Sequence, residues 1–227
     1  MLYIIPTPIG NLDDITKRSI DVIESLDLLF CENINHSKMM FEKLNIDYPK
    51  LQKYTEHNEE NTIKYIVDLL AQDKNIGLVS NAGYPIISDP GYKLVRELKK
   101  NNLLYAVLPG ATSVIPSLIY SALPPDKFLF VGFLPKSEIK IISLVEKFNG
   151  ITIIALESPY RLIRTLKIFH NKFSQMEITV CREISKIHED IYSGDISSVY
   201  RYYLDKKSIK GEITIVLHMN ISKGIKK

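Results

Sequence analysis

Short apolar runs recur along the chain, and each ends abruptly in proline, glycine or polar residues. In the first half they fall at residues 2–5, 28–31, near Leu51, at 76–79 and at 104–108, all of strand length. Between them apolar side chains recur at helical spacing. The sets are Ile15, Ile20, Ile23 and Leu26; Met39, Met40 and Leu44; Ile63, Ile66, Val67 and Leu70; and Leu94, Val95 and Leu98. Alternation of strand and helix predicts a mainly parallel sheet with its polar loops at one edge. Near Leu123-Pro124-Pro125 the pattern changes register. Residues 128–134, 151–156, 178–181 and 212–217 then read as strands, with a helix over 162–169. The expected architecture is α/β in two domains, residues 1–119 and 120–227, with a cleft between them.

The turn after Val79 is longer and more particular than a plain β–α connection: Ser80-Asn81-Ala82-Gly83-Tyr84-Pro85-Ile86-Ile87-Ser88-Asp89-Pro90-Gly91. Gly83 lets the backbone take positive φ or lie against a ligand. Ser88 or Asp89 is expected to cap the following helix, with Pro90 in its first turn. Such a turn puts a ligand at the carboxyl edge of a sheet, where open α/β folds bind small molecules.

Two other turns share this character. Pro6-Thr7-Pro8-Ile9-Gly10-Asn11 follows the first strand, with Asp13 or Asp14 expected to cap the next helix. Pro109-Gly110-Ala111-Thr112-Ser113 follows the run at 104–108. Its Thr112 and Ser113 would offer hydroxyls and free N–H groups to a carboxylate or phosphate. Glu56-His57-Asn58-Glu59-Glu60 could be catalytic, although acidic residues at a helix start also serve the helix dipole. In the second half, the runs 157–161 and 182–189 begin where strands end, the usual place for functional side chains.

Composition narrows the class. With 45% hydrophobic and 24% charged residues, the 227-residue chain reads as a soluble globular protein. The N-terminal Met-Leu-Tyr-Ile-Ile-Pro lacks a basic region, so no signal peptide is expected. Leu103 to Pro125 carries no charge, but Pro109-Gly110 and Pro116 interrupt it, which favours core over a membrane span. Cys31 and Cys181 read as reduced, buried thiols without metal-ligand spacing, as in a cytoplasmic protein. Charge is uneven. Residues 1–119 hold 12 Lys and Arg against 15 Asp and Glu; residues 120–227 hold 17 against 11, a balance compatible with an anionic partner such as RNA.

Taken in order, these blocks resemble the tetrapyrrole methylase superfamily, and within it the bacterial enzymes that methylate the ribose 2′-hydroxyl of a cytidine in the decoding centre of 16S rRNA. The resemblance runs from Leu2 to about Leu217. It rests on residues 6–12, 56–58, 82–91 and 108–110, on Phe130-Val131-Gly132-Phe133-Leu134-Pro135, and on Glu157-Ser158-Pro159 and Arg182-Glu183. It implies a homodimeric methyltransferase that uses S-adenosylmethionine and acts on 16S rRNA in the small ribosomal subunit. By position, the cofactor contacts implied are Pro8, Ile9, Tyr84, Ile87, Thr112, Ser113, Leu156, Arg182 and Gly211.

Methyl transfer from a sulfonium is a displacement at carbon that needs orientation and, for a hydroxyl acceptor, a proton acceptor. Lys186, His188 and Glu157 are the candidates for that role. Arg161 and Arg182 suit a phosphate contact, because the guanidinium fork binds phosphate oxygens in pairs. Glu56, His57 and Asn58 are the further substrate-binding candidates. The chain departs from the family pattern at Glu32-Asn33-Ile34-Asn35, where Glu-Asp-Thr-Arg is usual, and at Ser80-Asn81-Ala82-Gly83-Tyr84-Pro85, where Ser-Asp-Ala-Gly-Thr-Pro is usual. It also stops at Lys227 without the family's small C-terminal extension. Two alternatives therefore stay open: a methylase of a small molecule such as a tetrapyrrole, and a paralogue that binds cofactor or RNA without turnover.

Overall fold

Five parallel strands form the first sheet of the computed structural model, which describes residues 1–219. They are β1 (Leu2–Ile4), β2 (Leu28–Cys31), β3 (Leu51–Lys53), β4 (Ile76–Val79) and β5 (Tyr105–Val107), in the order β3-β2-β4-β1-β5. Helices α1 (Lys17–Glu24), α2 (Ile34–Lys43), α3 (Glu59–Ala71) and α4 (Tyr92–Lys100) connect them. The period-2 alternation of side chains sorts the strand residues onto two faces. Leu2, Ile4, Leu28, Phe30, Ile76 and Leu78 pack with Ile63, Ile66 and Leu70 of α3 and Leu94 and Leu98 of α4. Ile5, Leu29, Cys31 and Val79 pack instead with Ile23 of α1 and Met40 and Phe41 of α2. The helices after the adjacent strands β1 and β4 thus cover opposite faces, which makes the carboxyl end of that pair the switch point of the sheet. Gly77, mid-β4, is held to glycine by packing, because a Cβ there would lie 2.5 Å from both Leu26 Cδ1 and Leu29 Cδ1.

The chain divides into two compact units, Met1–Thr112 and Ser113–Lys227. Helix α5 (Val114–Ser121) opens the second unit. Next come β6 (Phe128–Phe133), α6 (Glu138–Lys147), β7 (Thr152–Glu157), α7 (Leu162–Lys172), β8 (Glu177–Arg182), β9 (Asp190–Asp195), α8 (Ile196–Leu204) and β10 (Ile213–His218). The sheet is mixed, in the order β6-β7-β10-β8-β9, with only the β6–β7 pair parallel. Its larger core lies on the face of Ile153, Ala155, Ile178, Val180, Ile213 and Ile215, covered by α6, α7 and α8. On the other face Leu118 of α5 and Leu123 meet Ile154 and Val216. A junction near residue 120 would fall inside α5, which packs on the second sheet.

The α/β architecture, with a parallel first sheet and a mixed second one, agrees with the sequence reading. The caps do not. Asn11 caps the short turn Leu12–Asp14 and Thr16 caps α1, in place of Asp13 or Asp14. Gly91, at φ 130°, holds the N-cap position of α4 in place of Ser88 or Asp89. Elements α6, β9 and α8 were not expected. Strand β9 (Asp-Ile-Tyr-Ser-Gly-Asp) is an edge strand with little apolar signal, and α8 is a short helix whose buried residues are only Ile196, Val199 and Tyr203, at helical spacing. Cys31 and Cys181 are free and buried, and burial pushes the Cys181 thiol up to about 12. Among the described residues no helix is long and apolar enough to cross a membrane, and no His, Cys, Asp and Glu cluster could hold a metal. The lysines at 223, 226 and 227 lie outside the described residues.

Candidate functional site at the carboxyl edge of the first sheet

Strands β4, β1 and β5 are neighbours and parallel, so the loops at residues 6–11, 80–91 and 108–112 leave the sheet side by side. Hydrogen bonds stitch them together. Thr7 and Gly83 exchange both backbone bonds, each 2.9 Å, as an isolated antiparallel bridge. The buried Thr7 hydroxyl donates to the Ser80 carbonyl at 3.2 Å, and the Ser80 hydroxyl donates to the Gly83 carbonyl at 3.1 Å. The Tyr84 hydroxyl accepts the Gly110 N–H at 2.9 Å, which ties the second loop to the third. Gly110 in turn lies so close to Pro6 that a Cβ would collide with its ring.

The middle loop is bent hard. Gly83 has φ 73°, and Ile86 and Ser88 reach φ 79° and 66° without being glycine. For a β-branched residue this is an outlier costing on the order of 1–3 kcal/mol. Ile86 is retained there by packing, since its side chain covers Gly91, where a Cβ would stand 2.7 Å from Ile86 Cγ1. Ile87 beside it is 54% exposed. The result is a set of fixed, close-packed backbone turns bearing hydroxyls, with an exposed apolar side chain at the rim. Such a surface suits a small ligand with an apolar body and polar ends.

The sequence-derived residues of this unit cluster accordingly. Pro8 and Ile9 are buried in the first loop, Tyr84 and Ile87 lie in the second, and Thr112 ends the third. Glu56, His57 and Asn58 follow β3, two strands from β4 at the outer end of the same edge. Asn58 is a cap there: its Oδ1 accepts from Thr55 N and its Nδ2 donates to the Lys53 carbonyl. Glu59, one residue on, is buried between the Tyr54 hydroxyl at 2.9 Å and Lys93 at 3.2 Å. Thr7 and Ser80 carry the stitching, and the residue reading did not single them out. Their signal is a small hydroxyl in the turn that follows an apolar strand, directly after β4 for Ser80 and after Ile5-Pro6 for Thr7.

In the second unit Ser113 precedes α5, Leu156 is half-buried in β7, and Arg182 ends β8. Arg182 Nε lies 3.4 Å from Asp190, and its Nη1 donates to the Lys210 carbonyl at 3.2 Å. Gly211, at φ 93°, is covered by the Glu183 carboxylate, which would have to shift to admit a side chain there. The three proton-acceptor candidates differ. Glu157 has no exposed side-chain surface and both oxygens are engaged: Oε1 by Ser158 N at 2.7 Å and Arg161 Nε at 3.2 Å, Oε2 by the Thr165 hydroxyl at 2.7 Å. Lys186 contacts Glu183 at 2.8 Å and Glu212 at 3.3 Å. Partial burial opposes its charge, but these acidic partners prevail and hold its pKa above the ordinary lysine value. Glu157 is thus closed off by burial, and Lys186 is held in its protonated form. His188 is exposed on the loop after β8. Arg161 is spent as well, with Nη2 on the Leu134 and Pro135 carbonyls, each at 2.8 Å.

The family model for tetrapyrrole (corrin/porphyrin) methylases matches residues 1–200, and the chain belongs to that family. It is a methyltransferase whose methyl donor is S-adenosylmethionine. Among curated relatives, the ribosomal RNA small subunit methyltransferase I of Rickettsia prowazekii is 40% identical over 97% of this chain and 79% of its own length. Proteins of the same name from Hydrogenobaculum sp. and Bacillus subtilis are 36% and 38% identical, over 95% and 96% of this chain and 94% and 74% of theirs. Two solved structures share the fold. The uroporphyrin-III-C-methyltransferase of Thermus thermophilus has a TM-score of 0.62 at 14% identity, covering 95% of this chain and 93% of its own. A cobalt precorrin-4 methyltransferase has a TM-score of 0.67 at 18% identity, with 96% and 94% covered.

Proposed function

We propose that this chain methylates 16S rRNA in the small ribosomal subunit, at the ribose 2′-hydroxyl of a cytidine in the decoding centre. The substrate class rests on the shared name of relatives 35–40% identical over nearly the whole chain. The methylation chemistry rests on one structural feature above all, the three stitched loops after β1, β4 and β5. Pro8, Ile9, Tyr84, Ile87 and Thr112 would hold the cofactor there, and bound S-adenosylmethionine would supply the electrophilic methyl group. From the second unit the reading adds Ser113, Leu156, Arg182 and Gly211 as cofactor contacts. RNA would be drawn by the basic second half, where Arg164 and Lys167 lie exposed three residues apart on α7. We take the protein to act in the cytoplasm as a homodimer.

The test is methyl transfer from labelled S-adenosylmethionine to small ribosomal subunits that lack this modification, followed by mass-spectrometric mapping of the methylated nucleoside. A 2′-O-methylcytidine in 16S rRNA supports the reading. Methylation of a base, or of a tetrapyrrole and not the subunit, overturns it. Subunit affinity should fall as salt rises, because neutralised phosphates release counterions.

A further inference from the structure

Strand order brings a second group of polar side chains to the same edge. β2 is the other neighbour of β4, with Cys31 registered on Val79, so Glu32 and Asn81 emerge beside one another. Asn81 Nδ2 donates to Glu32 Oε2 at 2.6 Å across 49 residues of sequence. Three features make this pair unusual. The half-buried Glu32 carboxylate meets no cation among the described residues, whereas Glu59, Glu157, Glu183 and Asp190 each touch a lysine or arginine. The carbonyl Oδ1 of Asn81 is buried without a hydrogen-bond partner, and so is Nδ1 of His36, on the first turn of α2 after β2. Asn81 also belongs to the strained loop whose Ser80 and Gly83 hold the β1 loop.

A buried acceptor left unpaired costs about 1–3 kcal/mol, a cost that packing alone does not call for and that is characteristic of functional sites. A neutral amide orients the carboxylate without neutralising it, and its second oxygen stays open. One open carboxylate oxygen beside the cofactor loops suits the single proton of an incoming hydroxyl. We propose that Glu32 is the catalytic base of methyl transfer, with Asn81 as its positioning residue. This rests on the reading above, that the acceptor is a hydroxyl of RNA.

In the step, Glu32 takes the proton of the attacking hydroxyl through Oε1. The oxygen's electron pair forms the new bond to the methyl carbon. The methyl–sulfur bond breaks with its pair left on sulfur, which loses its positive charge, and Glu32 later releases its proton to water. A positioned general base contributes typically 10²–10⁴-fold.

Glu32→Gln keeps the shape and the Asn81 contact while removing the basic oxygen. It should lower kcat for subunit methylation by about 10²–10⁴-fold. Its melting temperature, its affinity for S-adenosylmethionine and its subunit affinity in the presence of S-adenosylhomocysteine should be unchanged. Asn81→Ala should lower kcat by a smaller factor with KM unchanged, and Glu32→Asp should recover part of the loss seen in Glu32→Gln. Full kcat in Glu32→Gln, measured against an active wild type, overturns the proposal and leaves the functional reading intact. A Glu32→Gln protein that loses cofactor affinity but keeps kcat also overturns it, making the carboxylate a cofactor ligand. A wild type that transfers no methyl group to the subunit overturns the functional reading, and this proposal with it.

Discussion

Arg161 is the residue on which stability and RNA binding make opposite predictions. Its guanidinium bonds the Leu134 and Pro135 carbonyls and pairs with Glu157, whose side chain has no exposed surface. Arg161→Ala strips the cation from a buried carboxylate that keeps only Ser158 N–H and the Thr165 hydroxyl. Breaking a buried pair from one side costs about 3–5 kcal/mol. In a chain of this size each kcal/mol lowers the melting temperature by about 2–4 °C, so a fall of roughly 6–20 °C is expected. Arg161→Lys keeps the charge but loses the fork, and should fall between wild type and alanine. Glu157→Gln combined with Arg161→Ala should recover part of the loss, because the uncompensated charge is gone. The measurement is a thermal melt of the four proteins, alongside subunit affinity at a temperature where all are folded. An Arg161→Ala protein that melts with wild type but binds subunits tenfold more weakly would refute the clamp. It would return Arg161 to the phosphate-binding role that its residue type suggests.

Other expectations follow from the same geometry. Gly77→Ala should cost about 1–3 kcal/mol by overpacking against Leu26 and Leu29, read as a lower urea midpoint at unchanged slope. Gly83→Glu, at φ 73° with Ile9 Cγ2 only 3.4 Å from the position of a Cβ, should abolish calorimetric binding of S-adenosylmethionine while circular dichroism stays native. Burial opposes the charge of Asp190, but Lys206, Tyr202 and Arg182 outweigh it and hold its carboxyl below the ordinary 3.8. Between the lower folded pKa and 3.8 the unfolded chain binds more protons, so this stabilisation is complete above 3.8 and is lost as pH falls through the folded value. Asp190→Asn should therefore flatten the loss of stability below about pH 4, and an unchanged acid limb would rule out the effect.

Much of the edge is legible from the chain because its signals are local. An apolar run followed by Pro6-Thr7-Pro8 or by Ala82-Gly83-Tyr84-Pro85 announces a strand that stops at a rigid turn, and the strands were found where those runs lie. The caps were misread because several residues compete for one N-terminus. Asp13, Asp14, Ser88 and Asp89 all have capping chemistry, yet the backbone enters the helices at Thr16 and Gly91. Strand β9 leaves little trace because it is an edge strand with no buried face of its own, whereas α8 does carry Ile196, Val199 and Tyr203 at helical spacing, a short signal set among serines and tyrosines.

What no local pattern carries is strand order. Alternation fixes which residues face inward but leaves open that β4 inserts between β1 and β2. That one insertion produces the switch point, the Thr7–Gly83 bridge across 76 residues of chain, and the contact of Glu32 with Asn81. Read along the chain, Asn33, Asn35 and Asn81 are three separate losses of charge. Placed by strand order they are unlike in kind. Asn33 is an N-cap, its Oδ1 accepting His36 N–H at 3.2 Å, a task for which asparagine is as good as aspartate. Asn35 is exposed. Asn81 donates to a carboxylate at 2.6 Å, and an aspartate there would set two carboxylates against each other with one proton to share. The departure at position 81 therefore changes the charge state of the site, whereas the one at position 33 preserves a helix start.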